Sequence, residues 1–362
     1  MDKPALRPAP TLPRVSRPEE IREVIERGQV ATLSLRLPTP CNLDCVYCYG
    51  TPKSYKELRP DHLSYQEITG VIDQAAELGL RSVSFVGDGE PLLYRGSFQG
   101  RETTAEDLIR HVNKHGATVL AFTNALPIDP EMARRLYDMD MTIIAKQNSL
   151  DPQVQNALVR NPRADERLRR AISYLKDAGF NQTTPSRLAI HTVICKANYA
   201  ELPDMWRQWR EENIIPYVQV WVPPPRGSAS YQEFRERFEV EPARVRELFH
   251  RLRELDEDEF GLTWDADRSY PIAALGCTVV LTGVGITPMG DVQTCAYTEQ
   301  PIANVRQRTL REIMALPEIQ AIRGHRYGDD PDGFHYGCRA LTLNLTGDRL
   351  GRDPFYWEGG SV

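Results

Sequence analysis

From residue 30 onward, short β-branched runs alternate with amphipathic helical stretches, a pattern that restricts the chain to a parallel sheet flanked by helices. Strands are predicted at 30–37, 81–86, 118–123, 141–148, 188–195 and 217–222. The helices between them mark their own ends. Ser64 and Glu67 form a capping box ahead of Ile68, Val71, Ile72, Ala75 and Leu78, which share one helical face, and Gly79 stops the run. Leu168, Ala171, Ile172 and Leu175 repeat the pattern, with Gly179 as the stop. Six such units fall short of the eight in a closed barrel. The fold class is therefore α/β, a partial (β/α)6 TIM-like barrel, with chemistry expected at the C-terminal mouth of its strands.

The rest of the 362 residues divides around that unit. Residues 1–29 read as a proline-rich, loosely ordered arm followed by a short helix near 18–28, and 30–225 as the barrel. Residues 226–275 form a helical linker whose charged stretch, 231–258, is a solvated face. A second cysteine-bearing region spans 276–345, and 346–362 is a tail. The net charge of −6 includes no basic block that could track phosphates, which argues against a nucleic-acid partner. No apolar run is long enough to cross a bilayer and the N-terminus is no signal peptide, so a cytoplasmic protein is expected. Seven cysteines at irregular spacing point away from disulfides and toward metal chemistry in a reducing compartment.

Three of those cysteines, Cys41, Cys45 and Cys48, stand in the string CNLDCVYC just after the first strand. Thiolates spaced C-x3-C-x2-C can hold three irons of a 4Fe–4S cube and leave the fourth open to a small molecule. A structural zinc site is the competing reading, but it wants four ligands and no fourth Cys or His lies in this loop. Tyr47 is aromatic in an otherwise small and polar loop. The loop resembles the signature of the radical S-adenosylmethionine (SAM) superfamily. The resemblance implies that the open iron chelates SAM and that Tyr47 packs near the adenine. It also implies that an external donor such as flavodoxin or ferredoxin reduces the cluster. One-electron reduction of SAM would then release a 5′-deoxyadenosyl radical that abstracts hydrogen from a substrate carbon.

Other strand ends extend the resemblance, which covers roughly residues 30–345. The second strand exits through Gly87, Asp88, Gly89, Glu90 and Pro91, where glycine lets backbone approach a ligand closely. This is similar to the superfamily's GGEP motif, with Asp88 interrupting the glycine pair. Thr123-Asn124-Ala125 looks like its TNG string, with Ala125 in place of glycine. On the fourth strand Thr142, Ile144, Lys146 and Asn148 share one face, placing Lys146 and Asn148 inside the barrel. Asn148 and Ser149, the latter in an SLD string, are candidates for ribose and carboxylate contacts, and capping is the alternative.

Cys277 and Cys295 flank an alternating apolar run with a Pro288-Met289-Gly290-Asp291 turn, which reads as a β-hairpin carrying a thiolate on each strand. The stretch resembles the SPASM/twitch extension of radical SAM enzymes, implying a small C-terminal twitch-type domain with an auxiliary 4Fe–4S cluster. Cys338 is the one later cysteine, and His335 stands where a further thiolate is expected; imidazole can replace thiolate on such an iron. A surface His335, or a zinc ribbon on Cys277, Cys295, His335 and Cys338, are the alternatives.

Cys195 is left over. Strand periodicity places it and His191 on the inner face of the fifth strand, with Tyr217, Gln219 and Trp221 on that of the sixth. A thiol there could return hydrogen to a substrate radical and invert a stereocentre; a buried structural cysteine is the competing reading, and the one that cysteine's usual burial favours. His191, Tyr217, Gln219, Trp221 and Arg226 combine aromatic faces with polar edges, as a carbohydrate requires. The sequence reading therefore expects a radical SAM epimerase of a sugar or aminocyclitol, as in antibiotic pathways. A sugar-alcohol dehydrogenase with the auxiliary cluster as electron acceptor, a peptide-modifying enzyme and a non-catalytic iron–sulfur or zinc module are the alternatives. About thirty residues ahead of the first strand leave no room for the leader-binding domain that peptide-modifying relatives often carry.

Overall fold

A computed structural model describes residues 6–13, 18–48, 61–222, 229–264, 279–294, 301–324 and 338–347. Arg226, Cys277, Cys295 and His335 lie outside the described residues. The six expected strands are β2 (Thr32–Arg36), β3 (Ser82–Val86), β6 (Thr118–Thr123), β7 (Met141–Lys146), β8 (Leu188–Ile194) and β9 (Ile215–Val220). All pair in parallel and in sequence order, as one arc of a partial TIM barrel. Helices cover its outside: α2 (Tyr65–Glu77), α3 (Ala105–Asn113), α4 (Pro130–Asp138), α5 (Pro152–Val159), α6 (Ala164–Asp177) and α7 (Leu202–Glu211). The Ser64–Glu67 capping box forms, and its helix buries Ile68, Val71, Ile72 and Ala75 as the spacing requires.

The period of two sorts the strands' side chains. Val119, Ala121, Ile143 and Ala145 join the large core beneath the helices, while Leu120, Ile144, Ala189, Ile215 and Tyr217 form a separate cluster inside the arc. Leu12 of the N-terminal arm belongs to that inner cluster. Over residues 6–13 the arm is thus docked rather than loose. Its β1 (Arg7–Pro8) pairs with β10 (Leu262–Thr263), and burying Leu12 gives the arm an apolar anchor. The helix after it is α1 (Pro18–Glu26).

Two features depart from the alternation. Between β3 and α3 a hairpin is inserted, β4 (Arg95–Phe98) with β5 (Arg101–Thr104). Gln99 and Gly100 both have positive φ, as a two-residue type I′ turn demands. The linker holds two helices rather than one, α8 (Ala229–Arg237) and α9 (Pro242–Glu259), with Pro242 opening the second. Nor is α9 solvated all round. It buries Val245, Leu248, Phe249, Leu252 and Leu255, and its Asp256 takes Arg210 Nη2 at 2.6 Å plus the indole N–H groups of Trp206 and Trp264 at 2.7 Å each.

The C-terminal hairpin forms as β11 (Gly283–Ile286) and β12 (Asp291–Gln293), and it continues the barrel's sheet. β11 pairs in parallel with β2, β12 runs antiparallel to β11, and β13 (Ala303–Asn304) follows, giving the order β13-β12-β11-β2-β3-β6-β7-β8-β9. A Cβ on Gly283 would lie 1.6 Å from the Thr32 carbonyl oxygen, so only glycine lets β11 approach this closely. Two short helices (Leu310–Met314 and Pro317–Gly324) follow, and Cys338, half-buried, precedes a last one (Arg339–Thr346).

Candidate active site

The loop after β2 carries Cys41, Cys45 and Cys48, none in a disulfide and all half-buried. Two backbone bonds hold it in shape: Val46 N–H donates to the Leu158 carbonyl at 2.9 Å, and Cys48 N–H to Cys45 at 3.2 Å. Arg160 fastens the outer side through Asp44 at 3.0 Å. Burial pushes the Cys41 thiol up to about 12, with Glu90, Cys45 and Cys48 adding repulsion to its charged form. Burial likewise raises Cys45. Three thiols that are costly to ionise together are a donor set that calls for a cationic partner, and soft sulfur ligands suit an iron–sulfur cluster. The residues present fit that group.

The GDGEP exit of β3 lies directly under this loop. Gly89 is the point of closest approach, where a Cβ would sit 2.1 Å from the Thr39 carbonyl oxygen. Glu90 N–H donates to the Pro40 carbonyl at 3.0 Å, binding the two segments together. The Glu90 carboxylate is buried, and it accepts from Thr123 Oγ1 at 2.6 Å, Asn124 N–H at 2.7 Å and Leu92 N–H at 3.1 Å. Burial raises its pKa to about 7 against the pull of those donors. Pro91 begins the single helical turn that brings the Leu92 N–H to Glu90. Asn124 then reaches back to the loop, with Nδ2 at 2.6 Å from Asn42 Oδ1 and 3.9 Å from Cys41 Sγ. Ala125 has φ +61, so the position where the TNG string has glycine does adopt a glycine-like backbone.

Asp88, whose presence splits the expected glycine pair, is buried with both oxygens on Arg36, the Nε contact being 2.8 Å. Arg36 also donates from Nη1 to Gln293 of β12 at 2.9 Å. Neither Arg36 nor Gln293 stands out in the sequence. The available signal was that Arg36 and Asp88 end adjacent parallel strands with opposite charge.

On the other side of the mouth, Asn148 Nδ2 donates to the Tyr47 hydroxyl at 2.8 Å, and that hydroxyl also hydrogen-bonds Cys45. Asn148 is itself fully engaged, with Gln155 Oε1 at its N–H, Val193 N–H at its Oδ1 and Asn198 Nδ2 at its carbonyl. Ser149 is buried and its hydroxyl accepts from Asp151 N–H at 2.9 Å, the capping geometry of the SLD string. Lys146 does point inward. Its Nζ lies 4.7 Å over the Tyr47 ring and 3.3 Å from His191 Nδ1, and burial lowers its pKa to about 7 while Cys45 and Cys48 pull the other way. His191 continues to Gln219 Oε1 at 2.9 Å and packs edge-on against Phe122 and Tyr217.

His191, Tyr217 and Gln219 thus share the barrel interior, and Trp221 joins them through the Tyr47 ring, 6.0 Å away edge-on. The face of Trp221 is taken up by Phe234 and Phe238, at 5.0 and 4.6 Å. Cys195 follows the end of β8 and is 1% exposed within the large core, its N–H bonded to Asn198 Oδ1 at 2.9 Å. Lys146 is among the charges it feels.

Residues 37–207 match the model of the radical SAM superfamily. An AdoMet-dependent heme synthase of Methanosarcina barkeri is 23% identical over 358 residues, 89% of this chain and 95% of the relative. A PqqA peptide cyclase of Streptomyces rochei is 25% identical over 90% of this chain and 89% of its own. Among solved structures, SuiB of Streptococcus suis bound to its precursor peptide SuiA overlays with a TM-score of 0.64 at 16% identity, across 94% of this chain and 78% of SuiB. An overlay at 16% identity speaks for the fold alone. Cluster loop, GDGEP exit, partial barrel and family match converge, and residues 37–207 of the chain carry a radical SAM domain.

Proposed function

We propose that this radical SAM enzyme modifies a peptide. The observation that carries the reading is the length of the match to the PqqA peptide cyclase, which takes in 90% of this chain and 89% of that one, so the similarity runs well beyond the domain that generates the radical. A mycofactocin maturase of Mycobacterium tuberculosis supports it at 26% identity over 76% of this chain. The heme synthases, matched over comparable lengths, support a second reading in which a tetrapyrrole is modified.

Cys41, Cys45 and Cys48 would hold a 4Fe–4S cluster, which when reduced would supply the single electron for reductive cleavage of SAM. The chain's own share is placement. Gly87, Asp88 and Gly89 present backbone at the strand exit, and Glu90 fixes Asn124 beside Cys41. Thr123 and Pro91 act through Glu90, one as a donor to it and the other by starting the turn that follows it. Tyr47, Asn148 and Ser149 form the facing wall, and Lys146 provides a cation next to it. His191, Tyr217, Gln219 and Trp221 line the approach for substrate, and Cys338 belongs with the auxiliary cluster proposed for the C-terminal region. Epimerisation of a sugar or aminocyclitol with Cys195 as hydrogen donor has narrower support, since it rests on inner-face periodicity at a thiol packed within the core.

The discriminating experiment offers the reconstituted, reduced enzyme SAM together with unmodified PqqA-type and mycofactocin-type precursor peptides, a tetrapyrrole, or simple sugars and aminocyclitols. Formation of 5′-deoxyadenosine above the uncoupled rate, with a mass change in a peptide, is expected. Stimulation by sugars alone, with solvent deuterium in the product, would restore the epimerase reading.

A further inference from the structure

Away from the mouth, three metal-ligating side chains converge on the outer helices. His111 Nε2 lies 2.7 Å and His115 Nε2 2.8 Å from the same oxygen, Oδ1 of Asp73. The three ligand atoms all fall within 4.8 Å of one another, a spacing that one ion can bridge. Asp73 sits in α2; His111 sits in the last turn of α3 and His115 just past its end, four residues on. An i, i+4 pair puts both imidazoles on one helical face, the spacing that zinc sites use, and the adjacent helix supplies a carboxylate. The site is half-open: the side chains of His111, His115 and Asp73 are 19, 31 and 49% exposed, which leaves room for water as the remaining ligand. A cation here also meets the negative end of the α3 dipole.

We propose that Asp73, His111 and His115 form a transition-metal site of the zinc class that clips α2 to α3. The two helices flank β3, whose far end carries the GDGEP exit. Both helices start at the mouth end of the strands, so a site near the end of α3 lies toward the opposite face of the barrel, where side chains serve stability rather than chemistry. The clip is therefore structural. Two neutral imidazoles and a carboxylate suit Zn²⁺ and discriminate against Mg²⁺, which prefers oxygen ligands.

The test uses the anaerobically reconstituted full-length enzyme and the double variant His111→Gln/His115→Gln. Glutamine keeps an N–H donor near the position of Nε2, so the hydrogen bonds to Asp73 survive while the imidazole ligands are lost. Asp73→Asn serves as a second variant, retaining an acceptor oxygen without its charge. After equilibrium dialysis against zinc chloride, wild type is expected to hold one more zinc per chain than either variant. Its melting temperature should rise by a few degrees with zinc at about 100 times Kd, and not with magnesium. Other thiol and imidazole sites are shared by all three proteins and cancel in the difference. Equal zinc content in wild type and both variants, or an equal zinc-induced rise in melting temperature, would overturn the proposal and leave a plain hydrogen-bonded His–Asp–His cluster.

Discussion

Two arginines that pair with carboxylates also bridge the barrel and the C-terminal segment, and their settings differ. At the mouth, Arg36 joins buried Asp88 of the GDGEP exit to Gln293 of β12, the arginine side chain being 14% exposed and the aspartate 1%. On the outer surface, Arg306 holds Glu67 at the start of α2, and donates to the backbone carbonyls of Asp61 and His62 at 2.8 and 3.0 Å; here both charged side chains are more than a third exposed. Chemically the links are alike, yet they can do different work. An exposed pair is screened and contributes about 1 kcal/mol or less, so the outer link aids docking and little else. A buried pair that loses one partner leaves an uncompensated charge, and the inner link places that charge at the strand exit proposed to bind SAM.

Replacing Arg36 should separate the two most sharply. Arg36→Met leaves the Asp88 carboxylate buried without its guanidinium, and a loss of about 3 kcal/mol is expected in denaturant unfolding, with weaker SAM binding by equilibrium dialysis. Adding Asp88→Gly, which restores the glycine pair of the family motif, should return most of that stability, because removing both charges removes the penalty. If the double variant is no more stable than Arg36→Met, the buried pair is not what holds the mouth.

The outer link predicts a smaller, pH-sensitive effect. Hydrogen bonding to Arg306 holds the Glu67 carboxyl at about 2, below its ordinary 4.5, with the Ser64 N-cap helping. The unfolded chain binds the proton first as pH falls, so the contribution of this link is full above pH 4.5 and disappears toward pH 2. Glu67→Gln should cost about 1 kcal/mol or less at pH 7, flatten that acid limb and leave SAM cleavage unchanged. A large loss of SAM cleavage in this variant would erase the distinction between the links.

The smallest effect is expected at Ala125. Its positive φ strains an L-residue by about 1–2 kcal/mol, but Ala125→Gly also gives up a buried methyl, worth about 0.8 kcal/mol, and adds chain entropy on unfolding. Thermal unfolding should therefore show a change within about 1 kcal/mol.

Local signals made the inner half of the barrel legible. Strand period and the Ser64 capping box each depend on neighbours in sequence, and both hold in the structure. What sequence did not reveal depends on distant partners. Arg36 acquires its role only when β3 and β12 come to lie on either side of β11 and β2, and the fit of β11 against β2 hinges on Gly283 meeting a carbonyl some 250 positions away, the separation that Thr32 and Thr282 show. The β4–β5 hairpin was readable in principle from Gln99-Gly100, but short polar strands of RGSF and RETT carry little apolar alternation. Near Cys195 the strand's period stops being a guide, because β8 ends at Ile194 and Asn198 then takes over the backbone bonding.

The most direct test of the account is reductive cleavage of SAM by the three-cysteine loop. Wild type and a Cys41→Ala/Cys45→Ala/Cys48→Ala variant, both reconstituted anaerobically with iron and sulfide, are reduced with dithionite in the presence of SAM, and 5′-deoxyadenosine is quantified by chromatography. Wild type should produce it, and the triple variant should fall to the level of the no-enzyme control while keeping its fold by circular dichroism. Equal 5′-deoxyadenosine from both proteins, or none from a wild type shown to carry its clusters, would contradict the assignment.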